Sequence, residues 1–433
     1  MPDLFSDEIR LRAARKVLSR LAETLDAPFS VRLWDGSSVP MGKHIEAGSF
    51  ISLNSPHVLS TLLHSPSLET IVRLYALGKI ELHADDLIAF MDSLRDKKYK
   101  KRFRLLKKRA FLKEALVFLL SPSEKVRSVL ADPSGNSRDY IQFHYDLSND
   151  FYALFLDPHR QYSCAYFTDP KNSLEQAQSD KLEMICRKLR LKPDEKFLDI
   201  GCGWGGLICY AASRHGVKAH GVTLSQAQYD YTKEKIRSSG LEGQVTVELK
   251  DYMDVEGSYD KIASIGMFEH VGLANVPRYF GKINSLLKDR GVILNHAITR
   301  RAKGSKKKFR RVVASMRLSQ KFILPGAELD YIGNSAASLE MHGFEVRDVE
   351  SWREHYALTT EHWCRHLIAR RDEAVKLVGL ERYRLWVAYL AVCSLGFVDG
   401  SCNIYQTVAV KRSSKGPSGL PLTRHDWYSG AVK

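Results

Sequence analysis

The stretch KFLDIGCGWGG, residues 196–206, decides the fold of this chain. It joins a short apolar strand to a glycine-rich turn of the form G-x-G-x-x-G, after which a helical pattern begins. The same alternation of strand and helix continues to residue 296. Repeated strand–helix units predict an α/β fold with a doubly wound parallel sheet, in which ligands bind at the carboxyl ends of the strands.

Hydrophobic periodicity and capping residues predict the elements around this turn. Ser225 is the expected N-cap of the second helix. We predict strands at 196–200, 219–224, 245–249, 259–265, 291–296 and 403–412, and helices at 207–214, 225–238 and 278–287.

Two neighbouring features distinguish among the ligands that such a turn can bind. A dinucleotide enzyme needs an acidic residue about 20 residues further on, at the end of the second strand, but that strand ends in GVTLSQAQ, residues 221–228, without a carboxylate. By contrast, Asp199 ends the first strand, where it can orient the amino group of an amino-acid moiety, and the glycines let the backbone approach a ligand. The pattern DxGCGxG is typical of methyltransferases that use S-adenosylmethionine (SAM).

Composition narrows the class of protein. The chain has 433 residues, 44% of them hydrophobic, which predicts two or three globular domains. No apolar run approaches the roughly 18 residues of a membrane-spanning helix, and the acidic start MPDLFSDE is unlike a secretory signal. The seven cysteines form no CxxC pair, so we expect a reducing cytoplasm and no metal site.

Net charge predicts an anionic partner. Lys and Arg number 65 against 50 Asp and Glu, which gives +15. Two basic runs, 95–113 and 300–311, contribute much of it. The first mixes Lys and Arg with Tyr, Phe and Leu, as in a helix at an acidic membrane surface, whereas no recognisable nucleic-acid module accompanies either run. A solvated surface is the alternative for both runs.

Four segments are predicted along the chain. Short strands with Asp-Gly and Pro turns, followed by helices, indicate a smaller mixed α+β domain at 1–95 that associates with lipid or membrane. A basic amphipathic connector follows at 96–135, and the catalytic domain is expected at 136–413. The Gly, Ser and Pro content of 414–433 predicts a flexible tail.

Seven motifs, in order, resemble the cyclopropane-fatty-acid synthase family, which includes the mycolic acid cyclopropane synthases. They are HYDLSNDFY (144–152), QYSCAYF (161–167), LDIGCGWGG (198–206), GVTLSQAQ (221–228), IASIGMFEHVG (262–272), LNHAIT (294–299) and a C-terminal RLWVAYLAVC…IYQTVAV. The resemblance implies a Rossmann-like SAM methyltransferase that adds a methylene to the cis double bond of unsaturated acyl chains in membrane phospholipids. It also implies a peripheral position at the inner face of the cytoplasmic membrane and a homodimer.

The resemblance also implies site residues. A bound bicarbonate ion would be the general base, held by Cys164, Glu269, His296, Ile298 and Tyr356. Glu269 follows an apolar strand, where packing alone does not explain a carboxylate; Cys164 and Ile298 would contribute backbone groups. For SAM, the residues implied are Tyr145 and Tyr162 near the sulfonium and carboxylate, Asp199, Gly201 and Gly203 along the methionine, Thr223 and Gln228 near the ribose, and Asp251 and Tyr252 beside the adenine.

The sequence departs from the family in places that leave alternatives open. The segment ILPGAELDY, residues 323–331, stands where FPGGxLPS is usual, and it follows the second basic run. Because that region shapes the acyl channel in the family, the position of the substrate and the preferred acyl chain stay open. The carbocation left by methyl transfer can also undergo a hydride shift followed by reduction or proton loss, so methyl-branched or methylene lipids are alternative products. N-methylation of a small amine and a non-enzymatic lipid-binding role are the remaining alternatives.

Overall fold

The structure is a computed structural model that describes residues 6–105, 112–124, 148–312, 314–323 and 326–428. It divides into two units. The N-terminal unit comprises residues 1–131 and 378–391, and the C-terminal unit comprises residues 132–377 and 392–433.

The N-terminal unit is a mixed α+β structure. Its sheet has the order β2-β1-β3-β4, in which only β1 and β3 run parallel among the described strands. Its elements are α1 (Asp7–Leu25), β1 (Ser30–Arg32), β2 (Ser38–Pro40), β3 (Phe50–Leu53), α2 (Val58–His64), α3 (Leu68–Ala76), β4 (Ile80–His83), α4 (Leu87–Ser93), α5 (Lys97–Leu105) and α6 (Leu112–Leu120).

This unit takes in two segments that the sequence placed elsewhere. Part of the predicted connector is core rather than linker, because Phe118 of α6 is buried against α1 and the sheet, and Glu114 pairs with Arg20 at 3.1 Å. Residues 378–391, predicted to be catalytic, group with this unit, where Arg384 forms an ion pair with Glu81. Connector residues 106–111 and 125–135 lie outside the described residues.

The C-terminal unit is the predicted doubly wound α/β structure. Its elements are α7 (Asn149–Ala153), α8 (Leu174–Leu189), β5 (Lys196–Ile200), α9 (Gly206–His215), β6 (Lys218–Thr223), α10 (Gln226–Ser238), β7 (Val245–Leu249), β8 (Tyr259–Ile265), α11 (Val276–Leu286), β9 (Leu287–Arg300), α12 (Lys306–Arg310), α13 (Ala314–Phe322), α14 (Ile332–Met341), β10 (Phe344–Ser351), α15 (Arg353–Ala369), α16 (Arg371–Val378), α17 (Leu380–Val398, shared with the N-terminal unit), β11 (Cys402–Lys411) and α18 (His425–Tyr428), with 3-10 turns at Tyr252–Asp254, Phe268–His270 and Leu273–Asn275.

Seven strands form its sheet in the order β10-β11-β9-β8-β5-β6-β7. Strands β5 to β9 run parallel, and β11 and β10 add antiparallel at one edge. Successive residues of a strand face opposite sides of the sheet, so Phe197 belongs to one apolar core and Leu198 to the other. Helices cover both faces, which explains why β5 is an unbroken buried run after Lys196.

The predicted elements of this sheet are confirmed. Strands β5, β7 and β8 match their predicted bounds, and Ser225 caps α10 by accepting the Gln228 N–H. Strand β9 extends beyond the predicted 291–296 because it pairs with β8 on one side and, over Val292–Arg300, with β11 on the other. No described helix combines the length and apolarity that crossing a bilayer requires.

The described end of the C-terminal tail, residues 425–428, packs against the C-terminal unit, whereas the sequence predicts a flexible segment at 414–433. The Trp427 side chain is 1% exposed and belongs to the core cluster that contains Phe197. Asp426 accepts from Arg190 Nε at 2.6 Å. Most of the Gly and Pro residues that suggest flexibility lie before Asp426. The buried Trp427 indole and the bidentate Arg190–Asp426 ion pair then hold the end of the described chain against the core.

We predict that Trp427→Ala lowers the free energy of unfolding of the C-terminal unit by roughly 3 kcal/mol, the usual effect of removing a buried aromatic side chain. Chemical denaturation measures the change. Tyr428→Ala is the matched control, because Tyr428 is 54% exposed and its truncation should change stability by less than about 0.5 kcal/mol. Equal, small effects of the two substitutions would show that the tail does not support the fold.

Candidate functional site

The glycine-rich turn after β5 has a backbone that other residues adopt poorly. Gly201 and Gly205 have φ of 80° and 72°. A Cβ at Gly205 would lie 2.5 Å from Thr232 Cγ2, and one at Gly201 would lie 3.0 Å from Met267 Cγ. The N–H groups of Gly201 and Cys202 both donate to Val222 O at 3.0 Å. The turn is thereby fixed to β6 and leaves space beside the backbone for a ligand.

A cavity of about 290 Å³ lies at the carboxyl ends of β5, β6, β7 and β8. This is where a doubly wound sheet is expected to bind its ligand. Tyr145 lies outside the described residues. The other predicted cofactor residues all line the cavity: Tyr162, Asp199, Gly201, Gly203, Thr223, Gln228, Asp251 and Tyr252.

Asp199 is the buried acid of this cavity. It is 3% exposed, and its Oδ1 has no hydrogen-bond partner among the described residues. Burial raises the pKa of Asp199 to about 7, against the opposing charge of Lys181. An unpaired carboxylate in a desolvated site favours a cationic ligand, because ion pairing replaces the lost hydration. The ammonium group of an amino-acid moiety meets this requirement.

Polar and aromatic groups form the rest of the cavity wall. The Thr223 hydroxyl donates to Gln228 Oε1 at 2.8 Å, which fixes both side chains. Asp251 Oδ1 accepts the Met253 N–H at 2.9 Å and so holds the turn that presents Tyr252. The Tyr252 ring can stack on a flat aromatic ligand. At the other end, the Tyr162 ring lies 5.1 Å from that of Trp363, and such π-faces attract cations.

A second group of buried polar residues lies at the ends of β8 and β9. Glu269 is 5% exposed, and its Oε1 accepts the Ile298 N–H at 2.6 Å. Its Oε2 is buried without a partner in the described part of the chain. Burial raises the pKa of Glu269 to about 7. The Glu269 main chain also accepts from Glu328 N at 2.9 Å, which places the segment that departs from the family pattern against this acid.

His296 lies two residues before Ile298 on the same strand. Its side chain is fully buried, its Nδ1 is 3.0 Å from Gln406 Nε2, and its Nε2 lacks a partner within the described ranges. Burial lowers the pKa of His296 well below its ordinary value, and the charges of Lys181 and Lys188 lower it further. The ring is therefore neutral at physiological pH.

Trp352 connects the remaining predicted catalytic residues to His296. Its ring centroid is 5.3 Å from that of His296, and its carbonyl oxygen is 3.7 Å from Cys164 Sγ and accepts the Tyr356 N–H at 3.0 Å. Burial raises the pKa of the Cys164 thiol well above its usual value, so the sulfur is not a thiolate. Glu269 and Ile298 are joined by a hydrogen bond and His296 lies on the same strand as Ile298, whereas Cys164 and the main chain of Tyr356 are linked to His296 only through Trp352.

Lys181, which is fully buried on α8, is not among the site residues predicted from the sequence. Its Nζ donates to Gln161 Oε1 at 2.5 Å and to Ser163 Oγ at 3.1 Å. Burial lowers the pKa of Lys181 to about 8. The available signal was a lysine at a core position of an amphipathic helix, beside Leu182 and Ile185. Met267, His270, Asn275 and Arg278 also line the cavity and were not predicted.

Comparisons with known proteins show which family the chain resembles. The family model described as mycolic acid cyclopropane synthetase matches residues 134–407. A probable fatty acid methyltransferase from Pseudomonas putida is 35% identical over 410 residues, covering 94% of this chain and 98% of that protein. The cyclopropane-fatty-acyl-phospholipid synthase of Escherichia coli (strain K12) is 40% identical over 265 residues, covering 61% of this chain and 66% of the synthase.

A solved structure shares the fold of the C-terminal unit. The mycolic acid cyclopropane synthase CmaA1, complexed with SAH and CTAB, is 32% identical with a TM-score of 0.60, covering 65% of this chain and 99% of that one. The family model and the full-length relative each extend over most of the chain. The chain therefore belongs to the mycolic acid cyclopropane synthetase family and is a SAM-dependent methyltransferase.

Proposed function

We propose that this enzyme is a cyclopropane fatty acid synthase, which transfers a methylene from SAM to the cis double bond of unsaturated acyl chains of membrane phospholipids, with bound bicarbonate as the general base. The observation that carries the proposal is the pair of buried atoms, Glu269 Oε2 and His296 Nε2, that lack partners in the described structure beside the cofactor cavity. The name of the Escherichia coli relative supports this choice of product and substrate.

The cavity fits SAM in charge and shape. Asp199 supplies an unpaired carboxylate for the amino group, the glycine turn leaves room along the methionine, and Tyr252 offers an aromatic face to the adenine. When bound, SAM supplies a methyl group on a positively charged sulfur. Tyr162 lines the cavity and would present a π-face that stabilises positive charge near it, with Trp363 packed against the Tyr162 ring.

The second group of residues fits bicarbonate. Glu269 Oε2 is a free acceptor, and a neutral His296 can present a donor at Nε2, whereas bicarbonate has both an O–H and anionic oxygens. Such an ion would take a proton from the newly transferred methyl group. The Ile298 N–H holds Glu269 in place through Oε1, which leaves Oε2 to orient the ion.

The remaining contribution of the protein is positioning in a water-free site. An alkene is a weak nucleophile, so it must be held in line with the methyl group. SAM would supply the methyl carbon, whose bond to one alkene carbon would form as its bond to sulfur breaks, leaving a positive charge on the other alkene carbon. The ion held by Glu269 and His296 would take a proton from the new methyl group, which would allow the second carbon–carbon bond to close the ring.

A methyl-branched lipid is the second candidate product. The full-length relative from Pseudomonas putida has the name probable fatty acid methyltransferase. The segment 326–331 contacts Glu269 and departs from the pattern usual in the family. A different acyl position at this segment would move the cation away from the base and favour a hydride shift over ring closure. Loss of a proton from the methyl group would then give a methylene branch, and a saturated methyl branch would in addition require an external hydride donor.

Product analysis separates these candidates. The enzyme is incubated with vesicles of cis-unsaturated phosphatidylglycerol in two parallel reactions, one with SAM carrying a deuterated methyl group and one with unlabelled SAM. The fatty acids released from the labelled reaction are examined by mass spectrometry and those from the unlabelled reaction by proton NMR. We expect the labelled product to have lost one deuteron and the unlabelled product to show the upfield ring protons of a cyclopropane. A product without upfield ring protons would contradict cyclopropane formation and favour methyl or methylene branching.

Glu269→Gln tests the base site. Glutamine has the size of glutamate and keeps an oxygen that can accept the Ile298 N–H, but it offers the ion an NH₂ group in place of a carboxylate oxygen. We therefore expect turnover to fall by at least about 10²-fold. SAM affinity, measured by calorimetry, should stay within about twofold, because Glu269 does not line the cofactor cavity. Glu345→Gln, at the surface on β10, is the control and should retain both. Unchanged turnover in Glu269→Gln would exclude this role.

The N-terminal unit would dock the enzyme on an anionic bilayer. Helix α5 exposes Lys97, Lys98 and Lys101, and α6 exposes Leu116, Leu119 and Leu120 while Phe118 enters the core. Both helices pack against α1. Exposed leucines beside lysines suit the boundary between lipid headgroups and acyl chains. We propose this face as the peripheral attachment to the inner side of the cytoplasmic membrane.

Vesicle binding tests the docking face. We expect sedimentation with phosphatidylglycerol vesicles to weaken as salt rises from about 0.05 to 0.5 M, because salt screens the lysine charges. Leu119→Asp should weaken binding at least about tenfold through lost apolar burial. Met341→Asp is the control, since Met341 is exposed on α14 of the other unit. Binding that is insensitive both to salt and to Leu119→Asp would refute docking through α5 and α6.

A further inference from the structure

A chain of polar side chains lies behind His296, on the side away from its unpartnered Nε2. Lys188 Nζ of α8 forms an ion pair with Glu350 of β10 and donates to Gln406 Oε1 of β11 at 2.7 Å. Gln406 Nε2 in turn lies 3.0 Å from His296 Nδ1. The side chains of Lys188, Gln406 and His296 are fully buried.

The fold holds this chain in a fixed geometry. Gln406 and His296 are direct cross-strand partners in the β9–β11 ladder, so the backbone sets the distance between their side chains. Trp352 Nε1 donates to Glu350 Oε2 at 2.8 Å. The rings of Trp352 and Trp427 lie 5.1 and 5.8 Å from Lys188 Nζ. The C-terminal tail, through Trp427, therefore helps to enclose the ammonium group.

The donors and acceptors of this chain determine where the proton of His296 lies. An ammonium group only donates, so the Gln406 atom that faces Lys188 is the carbonyl oxygen. The Gln406 amide NH₂ consequently faces His296 and donates to Nδ1, which must carry a lone pair. A neutral imidazole has one N–H, and with Nδ1 as acceptor this N–H is at Nε2.

We propose that Lys188 and Gln406 are positioning residues that hold His296 in the Nε2–H tautomer, so that it offers a single donor to an anion between His296 and Glu269. The use of this donor rests on the proposed function, whereas the tautomer does not. The opposite tautomer would direct a lone pair at the anion and lose a charge-assisted hydrogen bond. The network thus acts on the base site without touching it.

Stability alone gives a weak reason for this arrangement. Buried ion pairs often add nothing over apolar residues of similar volume, because desolvation offsets the attraction. The buried rings of Trp352 and Trp427 surround Lys188, so its environment is largely apolar. An apolar side chain in place of Lys188 would therefore avoid the cost of burying a charge. What an apolar residue could not do is orient the Gln406 amide.

Gln406→Glu tests the proposal with almost no change of shape. A carboxylate only accepts, so one oxygen remains on Lys188 and the other accepts from His296 Nδ1–H, which moves the proton away from Nε2. Long-range ¹H–¹⁵N NMR of enzyme labelled at its 15 histidines reads the protonation of each ring nitrogen, and the loss of one signal set in His296→Gln assigns His296. We expect Nε2–H in the wild type and Nδ1–H in Gln406→Glu.

Lys188→Met provides a second variant that keeps the volume of the side chain. Without the ammonium, the Gln406 amide can take either orientation, and we expect His296 to show both tautomers. Lys261→Met is the matched control, because Lys261 is also buried in this unit but pairs with Glu195 at 3.8 Å, away from the network. It should leave the His296 signals unchanged.

Activity completes the test. In Gln406→Glu we expect methyl transfer to lipid to fall at least tenfold while SAM affinity, measured by calorimetry, stays within twofold. A wild-type Nδ1–H tautomer, an unchanged tautomer in Gln406→Glu, or full turnover with the reversed tautomer would each overturn the proposal. The tautomers are read by NMR without SAM or lipid and so do not depend on the proposed function. Failure of the proposed function has a different sign, which is the absence of cyclopropane product from the wild-type enzyme.

Discussion

Desolvation at the carboxyl edge of the sheet is the constraint on which the site depends. Strands β5 and β8, which end there, are almost entirely buried, so polar side chains such as Asp199 and Glu269 have lost most of their contact with water. Most of these groups are satisfied by neighbours, as Glu269 Oε1 is by the Ile298 N–H. Asp199 Oδ1, Glu269 Oε2 and His296 Nε2 are not satisfied by described residues, and all three lie where a ligand is expected.

The two acids of the site are buried alike but differ in the charges around them, which suits the different roles proposed for them. Burial raises the pKa of both Asp199 and Glu269 to about 7, but only Asp199 has a lysine among the charges that act on it. Lys181 and a cationic ligand both favour the anion at Asp199, which suits ammonium binding. Among the described residues, burial and backbone N–H groups alone act on the Glu269 carboxylate. If Glu269 and a hydroxyl-bearing anion share one proton, the repulsion between the two is weak and the anion can bind.

Sequence patterns predicted the parts of this structure that depend on local contacts. Strand periodicity and the Ser225 cap act within one or two turns of chain, and the glycine turn predicts a ligand site at the end of β5, where a cavity lined by Asp199 is found. Packing between distant segments was missed, as with Phe118 in the N-terminal core and Trp427 against the sheet. The hydrogen bond between Lys188 and Gln406 could not be predicted either, because the two residues are 218 positions apart and a lysine in a helix is ordinarily solvated.

Helix α8 connects the two halves of the site. Lys181 and Lys188 are seven residues apart, about two helical turns, so they lie on the same face of α8 and are both fully buried. Lys181 donates to Gln161 and Ser163, which line the cofactor cavity, whereas Lys188 donates to Gln406 behind His296. Each ammonium orients an amide side chain, and each amide lies next to one half of the site. Because both lysines are fixed in one rigid helix, a shift of α8 against the sheet would disturb cofactor binding and the base site together.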